Sequence, residues 1–410
     1  MTEKIPAESS RLNPRSFAWF LSARCATIIA YQMVGVAVGW QVYDLTHRAL
    51  DLGLVGLVQF IPSVLLVLVV GHAADRYDRR RLVSLAFLVE SLALLALIAA
   101  ILGRWINREL IFLFVFVVGI ARAFEFTTMQ TLVPSIVDRE ALPSALALNA
   151  SVTQASIIIG PMMGGFIYVA GPAAVYGTSC TLLLFSAVVM CCIRIRSGIQ
   201  RREQVGLRTL FAGISFIRSR PVLFGAISFD LFAVLLGGAT ALLPVYARDI
   251  LHTSPRGLGL LRAAPAVGAF AASVFLARHP PRRRIGRLMF AAVAWFGIGT
   301  MIFAVSTNFA LSFLSLVLLG CADMISVVIR ASLVQLETPD EMRGRVSAVN
   351  SVFIGASNQL GEFESGLTAT WFGVVPAVLI GGLGTLAIVA LWFLLFPELA
   401  RRDRLQPGEA

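Results

Sequence analysis

The segment GHAADRYDRRR, Gly71 to Arg81, places six charged side chains in the seven positions 75–81. The residues before it, 52–70, carry no charged side chain, and the sequence becomes apolar again directly after it. An apolar stretch of about 20 residues is what a helix needs to cross a bilayer core of roughly 30 Å. The pattern therefore predicts a short charged loop between two membrane-spanning helices.

The composition of the whole chain agrees with this interpretation. Of its 410 residues, 58% are hydrophobic and 14% are charged, whereas a soluble domain has roughly 25% charged residues. A large soluble enzyme is therefore excluded. Residues 1–16 are polar, and the apolar run 17–42 is too long for the core of a cleaved signal peptide, so we expect the first span to remain in the protein.

Apolar runs of spanning length recur along the chain and predict an all-α membrane protein of twelve transmembrane helices. The predicted spans are 17–42, 52–71, 82–102, 109–129, 144–169, 173–193, 221–246, 257–277, 287–305, 309–329, 346–371 and 374–396. They fall into a six-helix bundle at 17–193 and a second at 221–396. A tail at 1–16, a linker at 194–220 and a tail at 397–410 complete the chain.

The basic residues predict the orientation. If both termini lie in the cytoplasm, 27 of the 34 Lys and Arg residues fall in inner segments, six fall in outer loops, and Arg122 lies within a span. Cytoplasmic loops of membrane proteins carry such an excess. We therefore expect cytoplasmic termini, and we attribute the net charge of +11 to topology rather than to nucleic-acid binding.

The linker contains LRTLFAGISFIRSR, whose apolar residues recur at helical spacing. They are Leu207, Leu210, Phe211, Ile214 and Ile217. This spacing predicts an amphipathic helix on the inner membrane surface. A solvated linker without this role is the alternative.

The two halves of the chain repeat each other. LVPSIVDREALPSALALN (132–149) and LVQLETPDEMRGRVSAVN (333–350) align without gaps at an offset of 201 residues, and glycines flanking them match at the same offset. Spans four and five thus correspond to spans ten and eleven. A parallel repeat of two six-helix halves is a transporter architecture with its substrate site between the halves.

Several motifs now point to a family. The loop between spans two and three, with Gly71, Asp75, Arg76, Arg79 and Arg80, resembles the signature loop of the major facilitator superfamily. SIIIGPMMGG (156–165) resembles the span-five motif of its proton-coupled antiporters in Gly160, Pro161, Gly164 and Gly165, although Ser156 stands where that motif usually has glycine. Overall the chain is most similar to the bacterial branch of enterobactin exporters and macrolide-efflux proteins.

The resemblance implies a gating role for the charged loop, which in this family latches the two halves on the cytoplasmic side while the cavity opens outward. The alternative is a basic loop that only sets topology. It accounts for the arginines but not for Asp75 and Asp78. The equivalent loop of the second half, ARHPPRRRIGR, has arginines without an acid, so we expect an asymmetric latch.

Charged residues inside predicted spans are the candidates for the substrate and proton cavity. Such residues are costly against lipid and usually face a cavity or pair with each other. Arg122 and Glu125 are three residues apart and can pair on one helix face. Asp323 lies 201 residues after Arg122, so the repeat places an arginine and an aspartate at matching positions, and we expect both to face the cavity if either does.

The other acids are less clear-cut. Glu362 and Glu364 are two residues apart, about 200° around a helix, so one of them, preferably Glu362, is expected to face the cavity. Asp230 is a lone acid between aromatic residues and suits proton binding. Glu90 is expected to be structural. For each acid the alternative is a structural partner near the membrane interface.

Other energy sources and chemistries are excluded by composition. The only lysine is Lys4, so no phosphate-binding loop can form. The four histidines are scattered over loops, so we predict no metal site, no cofactor and no enzyme activity.

The sequence therefore predicts a monomeric multi-pass transporter of the bacterial inner membrane. We expect it to export a hydrophobic or amphipathic small molecule, such as a siderophore or a drug, in exchange for protons. Its partners would be the substrate, protons and lipid, without nucleic acid. An importer or symporter of a small metabolite is the first alternative, and a receptor or scaffold that transports nothing is the second.

Overall fold

The protein is helical throughout the part that the structure, a computed structural model, describes: residues 14–66, 69–70, 73, 76–138, 140–193, 207–281 and 283–404. The helices are α1 Pro14–Thr46, α2 Ala49–Leu65, α3 Arg79–Leu102, α4 Arg108–Ile136, α5 Leu142–Ile167, α6 Pro172–Cys192, α7 Leu207–Arg218, α8 Pro221–Leu236, α9 Pro255–Arg278, α10 Ile285–Val305, α11 Phe309–Glu337, α12 Asp340–Phe372, α13 Val374–Leu395 and α14 Pro397–Ala400. Short turns at Ala239–Leu242 and Leu243–Val245 and a π-helical turn at Tyr246–Ile250 continue α8.

Polar side chains define where several of these helices begin. Asp78 caps α3 by accepting from the Arg80 amide at 2.9 Å, and Asn107 caps α4 by accepting from the Leu110 amide at 2.9 Å. Asn308 caps α11 in the same way, and it lies 201 residues after Asn107. A capping side chain satisfies a backbone N–H that the helix leaves free. The internal repeat therefore extends to the helix caps.

Nine of the described helices are long and apolar enough to cross a membrane, with the α8 region counted as the single span Pro221–Ile250. Helix α2 is apolar but has 17 residues. Helices α4 and α12 have the length, but they contain the charged residues discussed below. Spanning by α2, α4 and α12, and with it the count of twelve, stays a prediction.

Two groups of helices have separate apolar cores. One core draws mainly on buried residues from Phe20 to Ile193, with Val245 added, and the clusters of the second group draw mainly on residues from Ile217 to Ala400. We call these groups the first and second half. Helix α7 packs on α12, where Gly213 lies against the Arg345 carbonyl, while Phe211 and Ile214 are exposed. Residues 194–206 of the linker lie outside the described residues.

The halves meet mainly at one end of the bundle. We call the end where α1 begins proximal and the end where it finishes distal. Near the distal end Gly165 of α5 packs on Gly259 of α9, and Gly366 of α12 packs on Gly53 of α2. Gly165 and Gly366 are 201 residues apart, so the two seams are equivalent under the repeat.

Candidate functional site

The charged segment at 71–81 caps two helices at the proximal end. Beyond its backbone bond at the start of α3, Asp78 pairs with the Arg80 guanidinium at 2.9 Å. Arg80 also donates to the Ile193 carbonyl at the end of α6, at 2.7 Å. A cation favours this end of a helix because its free carbonyls carry partial negative charge. The Arg80 side chain thus ties α3 to α6.

The other predicted members of this motif are less defined. Arg76 is exposed and Arg79 is half-buried, while Gly71 and Asp75 lie outside the described residues. The Asp78 carboxyl accepts a hydrogen bond from the Arg80 side chain, which holds its pKa below the usual range. Asp78 therefore stays ionised at neutral pH, and the cap it forms is a charged one.

The predicted span-five motif packs α5 against two neighbours. Gly160 and Gly164 lie against Gln32 and the Met33 backbone of α1, and Gly165 lies against α9 of the second half. The Pro161 carbonyl also faces Gly259 of α9. The small residues of this motif therefore let α5 contact both halves at once. Ser156, which departs from the family pattern, is buried and donates to the Val152 carbonyl at 2.8 Å.

Arg122 and Glu125 form the predicted pair in α4. The guanidinium donates to Glu125 Oε2 at 3.1 Å, and its central carbon lies 3.5 Å from the centre of the Tyr31 ring in α1. Gln59 of α2 donates to the Tyr31 hydroxyl at 2.8 Å. The Glu125 side chain is 3% exposed and that of Arg122 is 24% exposed, so the cation is the accessible member of the pair.

Two further charges surround this pair. Glu90 of α3 is buried, lies within electrostatic range of Glu125 and Arg122, and its Oε1 has no hydrogen-bond partner among the described residues. Arg24 of α1 lies within range of both as well. The first half therefore holds two acids and two arginines, which balance in charge.

The acidic site of the second half has a different balance of positive and negative charges. The Asp230 carboxylate on α8 accepts from Arg330 on α11, and both side chains are buried. Asp323, seven residues before Arg330 on α11, lies within electrostatic range of both. Asp230 and Asp323, together with Ser326 and apolar side chains, line a small pocket. Arg330 thus pairs with Asp230, and Asp323 lines the same pocket as Asp230, so Asp230 is not the lone acid that we expected.

Glu362 lies at the seam between the halves. If Gly56 of α2 had a Cβ atom, that atom would lie 2.5 Å from Glu362 Oε2. Glu362 is also within electrostatic range of Arg262 on α9. The Arg262 guanidinium donates across the halves to the Gly35 carbonyl of α1. Glu364 accepts from Thr368 of its own helix at 2.8 Å. The two glutamates therefore have different surroundings, as their spacing predicted.

The pocket at Asp323 does not include Arg122. In the first half, Arg122 contacts Tyr31 of α1, the first helix of that half. In the second half, Asp323 lines the pocket together with Asp230 of α8, the first long helix of that half. The repeat therefore gives these two residues equivalent positions in their halves without bringing them into one pocket.

A polar clasp joins the halves at the distal end. Tyr43 of α1 donates to the Asp249 carboxylate, and Arg248 pairs with Asp44 at 2.5 Å. Two consecutive residues of α1 thus bind two consecutive residues of the π-helical turn after α8. Sequence reasoning did not single out these residues because each of them alone looks like an ordinary polar residue at the end of a span.

Three arginines of the site lie within helices. Arg24 and Arg330, which the count of basic residues placed in inner segments, lie within α1 and α11, and Arg262, which it placed in an outer loop, lies within α9. Helix α11 continues to Glu337, beyond the predicted end of its span at 329. The helical periodicity that continues past 329 was the signal available for Arg330. Among the described residues, no group of His, Cys, Asp and Glu is arranged to hold a metal ion.

Comparison with curated proteins finds exporters. The Enterobactin exporter EntS of Citrobacter koseri is 25% identical over 97% of this chain and 95% of that protein. The protein of the same name from Shigella boydii is 24% identical over the same shares.

Comparison with solved structures finds the same fold. A single-residue mutant of the nucleoside transporter NupG superposes with a TM-score of 0.75 at 12% identity, over 93% of this chain and 100% of that one. A bacterial homologue of the iron transporter ferroportin in an inward-facing state gives a TM-score of 0.72 at 18% identity, over 96% and 100%. Residues 20–362 match the family model of the Major Facilitator Superfamily. The chain, a membrane transporter and not an enzyme, therefore belongs to the Major Facilitator Superfamily.

Proposed function

We propose that this transporter exports a small amphipathic molecule in exchange for protons, and that the proton binds at the Asp230–Asp323 pair. In this proposal the two bundles, 17–193 and 221–396, rock about the substrate site while the linker 194–220 connects them. Packing of the halves at the distal end, at Gly165–Gly259 and Gly366–Gly53, supports a conformation that is closed at that end in this cycle.

The charge balance of the second half is the observation that carries the proposal. Asp230 and Asp323 have one arginine, Arg330, between them. A buried charge without a partner is costly, so one proton would bring this group to neutrality. The acids of the first half, Glu90 and Glu125, are already balanced by Arg24 and Arg122, so they have no such need.

Export is supported by the likeness to EntS proteins along almost the whole chain. We therefore infer a siderophore as the first substrate to test, with drugs as the second class. The excess of Lys and Arg at the proximal end supports cytoplasmic termini and a place in the bacterial inner membrane. The charged loop at 71–81 would then latch the halves when the distal end opens.

The cycle follows from differential binding. A proton on the aspartate pair and a substrate in the cavity each bias the equilibrium between the two orientations according to the orientation they bind better. Exchange requires that the protonated transporter carries its proton inward and that the substrate-loaded transporter carries its substrate outward. We expect no monomer–monomer contact to be needed for this.

Proton movement in proteoliposomes tests the proposal. Vesicles with an internal pH dye receive a catecholate siderophore or a macrolide, and substrate-dependent proton flux is recorded. We expect Asp323→Asn to abolish coupled flux. Asp51→Asn is the matched control, because Asp51 is buried on α2 beside Arg108 near the distal end, away from the pocket. Substrate movement without proton flux in the unmodified protein would refute the proposal, and so would coupling that survives in Asp323→Asn.

A further inference from the structure

Polar side chains of both halves meet at two neighbouring levels of α1 and α2. At the lower level Arg122 stacks on Tyr31, which accepts from Gln59. One helical turn closer to the distal end, Arg262 donates to the carbonyl of Gly35. A turn of helix rises about 5.4 Å, so the two levels form one continuous surface. We call it the polar wall.

Glu362 extends the polar wall across the second seam between the halves. It packs on Gly56, which is three residues from Gln59 and therefore on the same face of α2. It also lies within electrostatic range of Arg262. The wall is thus built by α1, α2 and α4 of the first half and by α9 and α12 of the second.

The accessible charge of the wall in the first half is positive. Glu125 is almost fully buried behind Arg122, whose side chain is eight times more exposed, at 24% against 3%. The Tyr31 ring beneath the guanidinium holds its plane, and such stacking suits arginine. Arg262 is half-buried and makes one hydrogen bond to a backbone carbonyl, although a guanidinium has five donors.

We propose that the polar wall is the substrate site and that its ligand is an amphipathic organic anion, held through a carboxylate or phenolate by Arg122 and Arg262. Arginine binds planar oxyanions with two parallel hydrogen bonds, and the Tyr31 ring, on which Arg122 stacks, places an aromatic group beside that position. This inference names the substrate class for the export function proposed above, but it does not depend on proton coupling.

Binding to purified protein in nanodiscs tests the site without any gradient. Carboxyfluorescein serves as an aromatic anion and rhodamine 6G as an aromatic cation of similar size, and fluorescence anisotropy reports their binding. We expect saturable binding of the anion, weakened at least tenfold in Arg262→Gln and in the double variant R122Q/E125Q. The double variant removes the buried carboxylate together with its partner, so it leaves no unpaired charge.

Arg104→Gln is the matched control. Arg104 is an exposed arginine in the distal loop between α3 and α4, and its variant should bind the anion as the unmodified protein does. Preference for the cation, absence of saturable anion binding, or unchanged anion binding in both wall variants would overturn the assignment. If Asp323→Asn loses proton coupling but keeps anion binding, both proposals stand. If coupling is absent from the unmodified protein while the wall variants lose the anion, only the proton proposal fails.

Discussion

Replacing Gly366 by alanine should shift the protein toward a state that is open at the distal end. A Cβ at Gly366 would lie 2.8 Å from the Gly53 Cα and 2.9 Å from the Ala49 carbonyl oxygen, while ordinary contact begins at 3.4 Å. These neighbours are backbone atoms of α2, so neither can rotate away, and the seam must widen by about 0.6 Å or lose its packing. Overpacking of this kind costs about 1–3 kcal/mol.

That cost is paid only while the distal end is closed, so it acts on the conformational equilibrium. A bias of about 1–3 kcal/mol changes the ratio of two states by about 5- to 150-fold. Gly355→Ala on the same helix is the control, because a Cβ there would meet no described atom within 4 Å. Both variants gain the same helix propensity, so any difference in their conformational equilibrium reports on packing at the seam.

Electron–electron distance measurements between spin labels at Arg48 and His252, in a variant without the five native cysteines, would detect the shift. These positions lie in the distal loops of opposite halves. We expect Gly366→Ala to enrich the longer distances and Gly355→Ala to match the unmodified protein. Identical distance distributions for all three proteins would refute the reasoning, because the seam would then absorb a methyl group without separating. Gly165→Ala, at the equivalent seam, should act in the same direction.

Three further outcomes are expected. Either single change in the distal clasp, D44R or R248D, should widen the distances between the spin labels, and the double variant D44R/R248D should restore them. The pair is partly exposed, so each effect should be about 0–1 kcal/mol. Single changes that leave the distances unaltered would show that the clasp does not hold the seam. Asp78→Ala should lower the thermal stability at pH 7 by about 1 kcal/mol through the lost helix cap. The pKa of Asp78 in the folded protein lies below the unfolded value of about 3.9. The stability that the Asp78 carboxylate contributes is therefore complete above the unfolded pKa and disappears as the pH falls through the folded pKa. The melting curves of Asp78→Ala and of the unmodified protein should converge in acid. Arg330→Gln should destabilise the protein by about 3–5 kcal/mol because it leaves the Asp230 carboxylate buried without its partner. Adding Asp230→Asn should recover much of that loss. A melting temperature that does not recover in the double variant would contradict the pairing.

The sequence by itself determined the helices and their repetition. A backbone in lipid must satisfy its own hydrogen bonds, so an apolar run such as 82–102 has no other structure open to it, and α3 occupies 79–102. The offset of 201 residues likewise identified Gly165 and Gly366 as matching positions, and Arg122 and Asp323 as another such pair. These features depend on local composition and on position along the chain.

Only the tertiary structure decided which charges are paired between helices. Asp230 and Arg330 are 100 residues apart, and the sequence suggested a lone acid in a span and an arginine in a loop. Arg262 gave no sign that it donates to a carbonyl in the opposite half. A charge inside an apolar segment is stable when its partner comes from another helix, and hydropathy along one segment contains no information about that partner. Packing between helices therefore set the charge balance of the proposed proton and substrate sites.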